Sequence, residues 1–184
     1  VTADDPEIVY SGKKEQDVAN ITLKEEIAGT LVKGRTITMK LPEGVEWQAD
    51  CFKDKVTDVD VELKHDGFIG KDKRTARFLV DKETKEVEER TKARSLELKD
   101  MEVMVSANFQ GEVEVEFGGS AGVTGTVIVA EAVAPAALEV DELTTIGIGR
   151  DDQEIGTIYI TEAEAGLFDL DKDIVLRVDK DVEW

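Results

Sequence analysis

The chain returns to a phrase that it has already used, because "VEW" at residues 45–47 reappears at residues 182–184. Residues 20–47 align with residues 157–184 without a gap, at an offset of 137. The identical pairs are Ile21/Ile158, Glu25/Glu162, Ala28/Ala165, Gly29/Gly166, Ile37/Ile174, Val45/Val182, Glu46/Glu183 and Trp47/Trp184, with Gly12/Gly149 and Gln16/Gln153 further upstream. A repeat constrains the fold more than any local pattern does. We therefore expect one complete repeat, residues 1–134, a linker at 135–137 and a partial second repeat at 138–184.

Both copies contain apolar residues at alternate positions, which is typical of strands with one buried face. Ile37, Met39 and Leu41 in the first copy correspond to Ile174, Leu176 and Val178 in the second. Similar alternation recurs along residues 59–63, 76–80, 101–105, 113–117 and 127–129, with turn residues between. The sequence therefore predicts an all-β antiparallel sandwich, of the immunoglobulin-like or cohesin-like type, followed by the first strands of a second repeat. A change of parity around Lys99 and Asp100 predicts a β-bulge there.

Composition argues against several classes of partner. The formal net charge is −19, with 42 acidic and 23 basic residues, so phosphate backbones and anionic lipids should be repelled. No apolar run reaches the length of about 20 residues that a membrane-spanning helix needs, so we expect no membrane insertion and no nucleic acid. The first residue is Val1, as in a processed or excised segment. A single histidine, His65, disfavours transition-metal sites, and we expect it in a solvated turn.

Three phrases together suggest a family. They are "ITLKEEIAGTLVKGRTITMKLPEGVEW" from residue 21, "LELKDMEVMVSANFQGEVEVEFGGSAGVTGTVIVAEAVAP" from residue 96, and the restart of the first phrase. This combination resembles the tandem extracellular repeats of Firmicutes surface proteins, described as copper-amine-oxidase-N-terminal-domain-like or S-layer-associated. The resemblance implies a secreted, modular protein at the cell surface. It does not imply oxidase activity, because the tyrosine motif and the three copper-binding histidines of that enzyme are lacking here.

The function expected from these features is structural and non-enzymatic. The chain would act in surface-layer, stalk or fibre assembly through head-to-tail β-strand association with other copies or with adjacent repeats. The assembly residues would be Ile158, Ile160, Ile174, Leu176 and Val178, since nothing in residues 138–184 corresponds to the later strands of the first repeat. The alternative is a carbohydrate- or cell-wall-binding module, with cell-wall glycans as partners.

Few residues suggest a ligand site. Asp169, Asp171 and Asp173 alternate as in a calcium loop, although the glycine and distal glutamate of an EF-hand are lacking. No other cofactor is expected. Trp47 and Trp184 recur at the repeat offset, which is compatible either with sugar stacking or with core anchoring. Cys51 has no disulfide partner and is expected to act as a small apolar residue.

Overall fold

The fold is that of an all-β protein, as the sequence predicts. A computed structural model describes residues 1–52, 56–57, 61–83, 93–168 and 173–183. Within these ranges the helical structure is a single 3-10 turn, Ala49–Phe52, and no helix is long and apolar enough to cross a membrane. The chain divides into two compact units, Val1–Val133 and Ala134–Trp184.

The described residues form fifteen strands, numbered here in chain order. They are β1 Thr2–Ala3, β2 Glu7–Tyr10, β3 Gln16–Asp17, β4 Ile21–Lys24, β5 Thr36–Lys40, β6 Val45–Trp47, β7 Val56–Thr57, β8 Val61–Ile69, β9 Thr75–Glu83, β10 Ser95–Leu98, β11 Glu102–Val105, β12 Gly111–Gly118, β13 Gly125–Val133, β14 Ala136–Val140 and β15 Ile158–Glu162. The first thirteen belong to the first unit, and β14 and β15 belong to the second.

The first unit is a β-sandwich of one large sheet and two small ones. The large sheet has the order β2-β13-β12-β5-β9-β8-β7, and the small sheets have the orders β1-β4-β10 and β3-β11-β6. Pairing is antiparallel except between β2 and β13, which run parallel. Most of the sheet is therefore antiparallel as expected, and the parallel pair is a feature that local sequence patterns do not encode.

Alternating burial explains why these segments become strands. Ile37 and Met39 of β5 are fully buried, whereas the alternate residues Thr36, Thr38 and Lys40 are partly or fully exposed. Inward residues of β4, β9, β10, β11 and β12 extend the same core. Each large apolar side chain transferred from water into such a core contributes about 1.5–3 kcal/mol. The period-two pattern of the sequence thus marks the residues that hold the sheets together.

The parity change near Lys99 is a corner between two sheets rather than a bulge within one strand. β10 pairs with β4, whereas β11 pairs with β3 and β6. Asp100 has a φ of 52°, which turns the chain between them. Leu98 and Met101 on either side are both buried. The positions that face the core shift by one residue because the chain passes from one sheet to another, as strands do at the corners of a sandwich.

The second unit contains a two-stranded antiparallel sheet. β14 pairs with β15, and Ala136 and Ala137, which the sequence places in a linker, pair with Glu162 and Thr161. The strand expected at Ile174–Val178 is not formed. In the first unit the equivalent strand, β5, lies between β9 and β12. Strand backbone needs a hydrogen-bonding neighbour, and no equivalent of β9 or β12 is found among the described residues of the second unit.

Two other expectations concern local segments. The solvated turn predicted for His65 is instead an irregularity within β8, where the register with β9 shifts between His65 and Phe68 and Gly67 has a φ of 90°. That conformation is typical of a bulge containing glycine. The charged residues from 81 to 94 favour an exposed hairpin or a short helix, and most of this stretch lies outside the described residues.

Candidate functional site: a repeated edge in the second unit

A glutamine-bridged turn is present in both units. In the first, the Gln16 side chain accepts a hydrogen bond from Tyr10 N (2.6 Å) and donates to Tyr10 O (3.0 Å) and Lys13 O (3.2 Å). In the second, Gln153 accepts from Gly147 N and donates to Gly147 O (2.9 Å) and Arg150 O (2.8 Å). All three bonds recur at the offset of 137 residues found in the sequence.

The backbone of this turn recurs with its hydrogen bonds. Gly12 and Gly149 have φ angles of 79° and 69°. Glu15 and Asp152, which are not identical, nevertheless have φ angles of 54° and 53°. Positive φ is uncommon for a residue with a side chain. Its recurrence at equivalent positions indicates that this turn has the same backbone conformation in both units.

A glutamate that binds backbone N–H groups is the second repeated feature. Glu25 follows β4 and accepts from Gly29 N (3.3 Å) and Leu31 N (2.8 Å). Glu162 ends β15 and accepts in the same way from Gly166 N (3.2 Å) and Phe168 N. The carboxylate stabilises the turn that follows each strand, because ionised acceptors make the stronger hydrogen bonds.

Strand register is also repeated. Thr2 pairs with Thr22 and Ala3 with Ile21 in the first unit, and the equivalent Glu139 and Val140 pair with Tyr159 and Ile158 in the second. Beyond the strands, Asp4 N donates to Asn20 O (3.0 Å), and Asp141 N donates to Thr157 O (3.1 Å). Register is the feature that a one-residue slip would destroy. Equal register therefore establishes β14 and β15 as the structural equivalents of β1 and β4.

The sequence does not by itself give a role to the glutamine or the glutamate. Their identity at the repeat offset is the signal that could have revealed one. Most polar positions differ between the two copies, whereas Gln16/Gln153 and Glu25/Glu162 are unchanged. A polar residue that is retained while its polar neighbours vary is more simply explained by a specific hydrogen bond than by solubility.

Equivalent apolar residues differ sharply in exposure. Ile37 is 0% exposed and Ile174 is 58% exposed. Met39 and Leu176 are 0% and 41% exposed, and Val18 and Ile155 are 5% and 52% exposed. Leu41/Val178 and Val45/Val182 follow the same rule. The second unit therefore has apolar residues equivalent to those of the first core, and among its described residues no second layer covers them. Exposed apolar residues, where they form a continuous patch, commonly mark an interaction site.

The predicted assembly residues fall into two groups. Ile158 and Ile160 lie in β15 and are half-buried, and they are the equivalents of the buried Ile21 and Leu23. Ile174, Leu176 and Val178 are exposed and lie outside regular strand. The structure thus places Ile158 and Ile160 on one face of a strand, and the other three lie in a segment without regular secondary structure.

The candidate calcium site is only partly described. Asp173 is exposed, whereas Asp169 and Asp171 lie outside the described residues. Across the described ranges, no group of three or more His, Cys, Asp or Glu side chains is placed to hold a metal ion. The calcium prediction stays a prediction.

Trp47 is a core residue. It is 1% exposed, its ring packs edge-on against Phe52 with centroids 5.3 Å apart, and its Nε1 donates to Met39 O (3.2 Å). A ring covered in this way cannot serve as a platform for a sugar, because stacking needs an open face. The structure therefore favours the core-anchor interpretation for Trp47, and Trp184 lies outside the described residues.

His65 is not a solvated turn residue. It lies in β8 against Phe52, Phe68 and Phe78, with ring centroids 4.9, 4.9 and 5.5 Å away. Its Nε2 is buried and has no hydrogen-bond partner among the described residues. Burial lowers the pKa of this imidazole below its ordinary value of 6.5, because the charged form loses hydration. Burial alternates along β8 up to the register shift, and His65 falls on the inward-facing side. The turn-like local sequence does not indicate this position.

Cys51 packs at the margin of the core. It is half-buried, and its Sγ donates to Gln48 O (2.9 Å). Burial raises the pKa of the thiol above its ordinary value, so the reactive thiolate is disfavoured. This placement agrees with the expected packing role.

A surface cavity of about 280 Å³ lies beside β4 and is lined by residues that include Leu23, Glu25, Leu31, Ala121 and Thr124. Of its two acidic lining residues, Glu25 and Glu26, Glu25 is only 4% exposed and its carboxylate accepts hydrogen bonds from backbone N–H groups. The lining therefore does not direct that carboxylate toward a ligand.

Comparison with protein-family models and with curated proteins finds no match for this chain. Function must therefore be inferred from the geometry of the chain itself.

Proposed function

We propose that this chain is a non-enzymatic structural repeat of an exported cell-surface or filament-forming protein, acting in surface-layer, stalk or fibre assembly. The observation that carries the proposal is the repetition of register, turn and glutamate hydrogen bonds in a second unit whose apolar face is exposed. Repeats of one structural type stack or join to build length, and each depends on neighbouring segments for complete burial.

The acidity of the chain supports an exported, soluble repeat. An excess of carboxylates keeps neighbouring copies apart unless a specific contact joins them. Assembly would therefore depend on defined strand edges rather than on non-specific adhesion. Natural proteins protect such edges or use them for association.

Surface labelling of the source cells tests this proposal. Antibodies raised against the purified chain should label intact cells, and protease treatment of those cells should release peptides from residues 1–133. Intact-mass analysis of the native polypeptide that the antibodies capture should reveal further repeats. Labelling seen only after cell lysis would refute an exported structural role.

The carbohydrate-binding alternative is tested separately. The full chain would be applied to a glycan array and to purified peptidoglycan, with Trp47→Phe as a control that keeps an apolar aromatic core residue. Because Trp47 is buried, we expect no saturable glycan binding in either case. Saturable binding to one glycan class would favour the alternative over the structural role.

A further inference from the structure

An extra residue in β8 turns two of its aromatic side chains toward the core. His65 pairs with Phe78 of β9 and Phe68 pairs with Ala76, so that β8 has two residues between these pairs where β9 has one. Strict alternation would place His65 and Phe68 on opposite faces of the sheet. The extra residue, with Gly67 at a φ of 90°, instead directs both rings to the side of Phe78. Bulges of this kind commonly re-aim a side chain.

Phe52 packs on the same side of the sheet from a separate element. Its ring centroid lies 4.9 Å from that of His65, 6.2 Å from that of Phe68 and 5.2 Å from that of Phe78. These four rings form an aromatic cluster. Phe52 is the buried residue of the 3-10 turn Ala49–Phe52, and this turn belongs to none of the sheets that the described residues form. Phe52 therefore supplies the chief apolar contact that holds the turn against β8 and β9.

The imidazole of His65 is the polar member of the aromatic cluster. Its Nε2 atom is buried and has no hydrogen-bond partner in the part of the chain that the structure describes. Loss of hydration lowers the pKa of the ring below 6.5, and this effect outweighs a backbone hydrogen bond with Gly67 and the charge of Asp66, both of which favour protonation. A protonated ring would carry an N–H at Nε2, a buried and charged donor without an acceptor, which is costly.

Charged groups around the cluster do not compensate for this cost. The charged side chains described on the elements packed against His65 are exposed or half-exposed, and they are Asp50 of the 3-10 turn, Glu62, Lys64 and Asp66 of β8, and Arg77 and Asp81 of β9. Asp66 is paired with Arg77 (2.9 Å). The Cys51 thiol in the turn has a raised pKa and is neutral in acid. Since the chain has one histidine, His65 is the side chain whose ordinary pKa lies between pH 5 and 8.

We propose that His65 is an acid-sensitive switch: when its ring is protonated, Phe52 and the 3-10 turn separate from β8 and β9, while the other strands of the first unit stay paired. Strands such as β5 and β12 carry fully buried apolar residues and contain no histidine, so their pairing does not respond to this proton. The inference goes beyond the proposed structural role and does not depend on it.

The pH range of the switch follows from the two states of the ring. A released His65 has the ordinary pKa of 6.5, whereas the packed ring has a lower pKa. The opened turn therefore gains population as pH falls below 6.5, because the released ring binds the proton more tightly. The increase approaches tenfold per pH unit until the pKa of the packed ring is reached, which limits it to about 30-fold between pH 7.5 and 5.0.

Cys51 provides the readout, since it lies beside Phe52 in the turn and is half-buried. The full chain, without a histidine tag, would be labelled with an aromatic disulfide reagent that reacts in acid. The labelling rate is divided by that of the urea-unfolded chain at the same pH, which removes the change in thiolate fraction. We expect this ratio to rise below pH 6.5, by up to about 30-fold at pH 5.0, while the far-UV circular dichroism stays unchanged.

Variants of the chain assign the response to the packed imidazole. His65→Phe keeps an aromatic ring and removes the titration, so its labelling ratio should not change between pH 7.5 and 5.0. His65→Leu is also neutral and should behave alike, so the result does not depend on how one replacement packs. The matched control combines His65→Phe with Lys64→His, which restores a histidine at the neighbouring exposed position of β8. This double variant should show no acid response.

Several results would overturn the proposal. One is a labelling ratio in the unaltered chain that does not change with pH, and another is an equal rise in His65→Phe and His65→Leu. A rise restored by Lys64→His would attribute the response to charge on the strand rather than to the packed ring. Loss of the circular dichroism signal together with the rise would show that the whole unit unfolds and that no separate switch exists.

Discussion

Substitution of Glu25 should reveal how much of the first unit depends on one buried carboxylate. Glu25 is 4% exposed and accepts backbone N–H bonds from Gly29, Leu31 and Arg94. Glu25→Ala leaves these N–H donors without their acceptor. Each buried donor that is left without a hydrogen bond costs about 1–3 kcal/mol. The alanine variant also escapes the cost of burying a carboxylate, which offsets part of the loss. We expect a net destabilisation of about 3 kcal/mol from these two effects.

The magnitude can be measured by urea unfolding, with far-UV circular dichroism and tryptophan fluorescence as independent probes. A loss of about 3 kcal/mol corresponds to a melting point lower by about 10 °C for a domain of this size. Glu25→Gln keeps one acceptor oxygen and should lose about half as much free energy. Glu162→Ala is the matched control, because Glu162 makes the equivalent turn contacts in a more exposed setting where water can replace them. Equal unfolding midpoints for Glu25→Ala and Glu162→Ala would refute this explanation.

Four further outcomes are expected. Gln16→Glu should destabilise the first unit by about 1–3 kcal/mol, since it turns an amide donor to two carbonyls into an acceptor; unfolding that matches the unaltered chain would contradict this. Gly119→Ala should destabilise the first unit by about 2 kcal/mol or more, because an added Cβ would lie 2.3 Å from Thr36 O and residue 119 has a φ of 107°; a melting curve equal to that of the unaltered chain would contradict this. The folded pKa of His65 is lowered, so its contribution to stability is present above pH 6.5 and is lost as pH falls through the folded pKa; His65→Gln should weaken that pH dependence in parallel unfolding series. Raising ionic strength should raise the melting point, since 42 acidic residues face 23 basic ones, and identical curves at low and high salt would exclude the effect.

The repeat was the most informative feature of the sequence, because the alignment at an offset of 137 residues shows which segments of the two units are structurally equivalent. The pattern of a single strand does not show this. The repeat anticipated the equivalence of β4 and β15, and alternation located the strands around Ile37, Phe78 and Val115. These features depend on local periodicity and on self-similarity, both of which survive in a linear sequence. The candidate site was predicted in part, since Ile158 and Ile160 lie on the strand face expected of them.

Tertiary structure decided what periodicity cannot show. Apolar alternation predicts a strand equally at Ile37 and at Ile174, yet only the first finds neighbours on both sides within the described chain. The inward position of His65, the corner at Asp100 and the parallel pairing of β2 with β13 likewise depend on contacts between residues far apart in sequence. The amino-acid sequence determined which residues are apolar and would gain from burial. Only the packing of the chain determined which of them are buried, because burial requires a second surface and a single strand cannot cover its own apolar face.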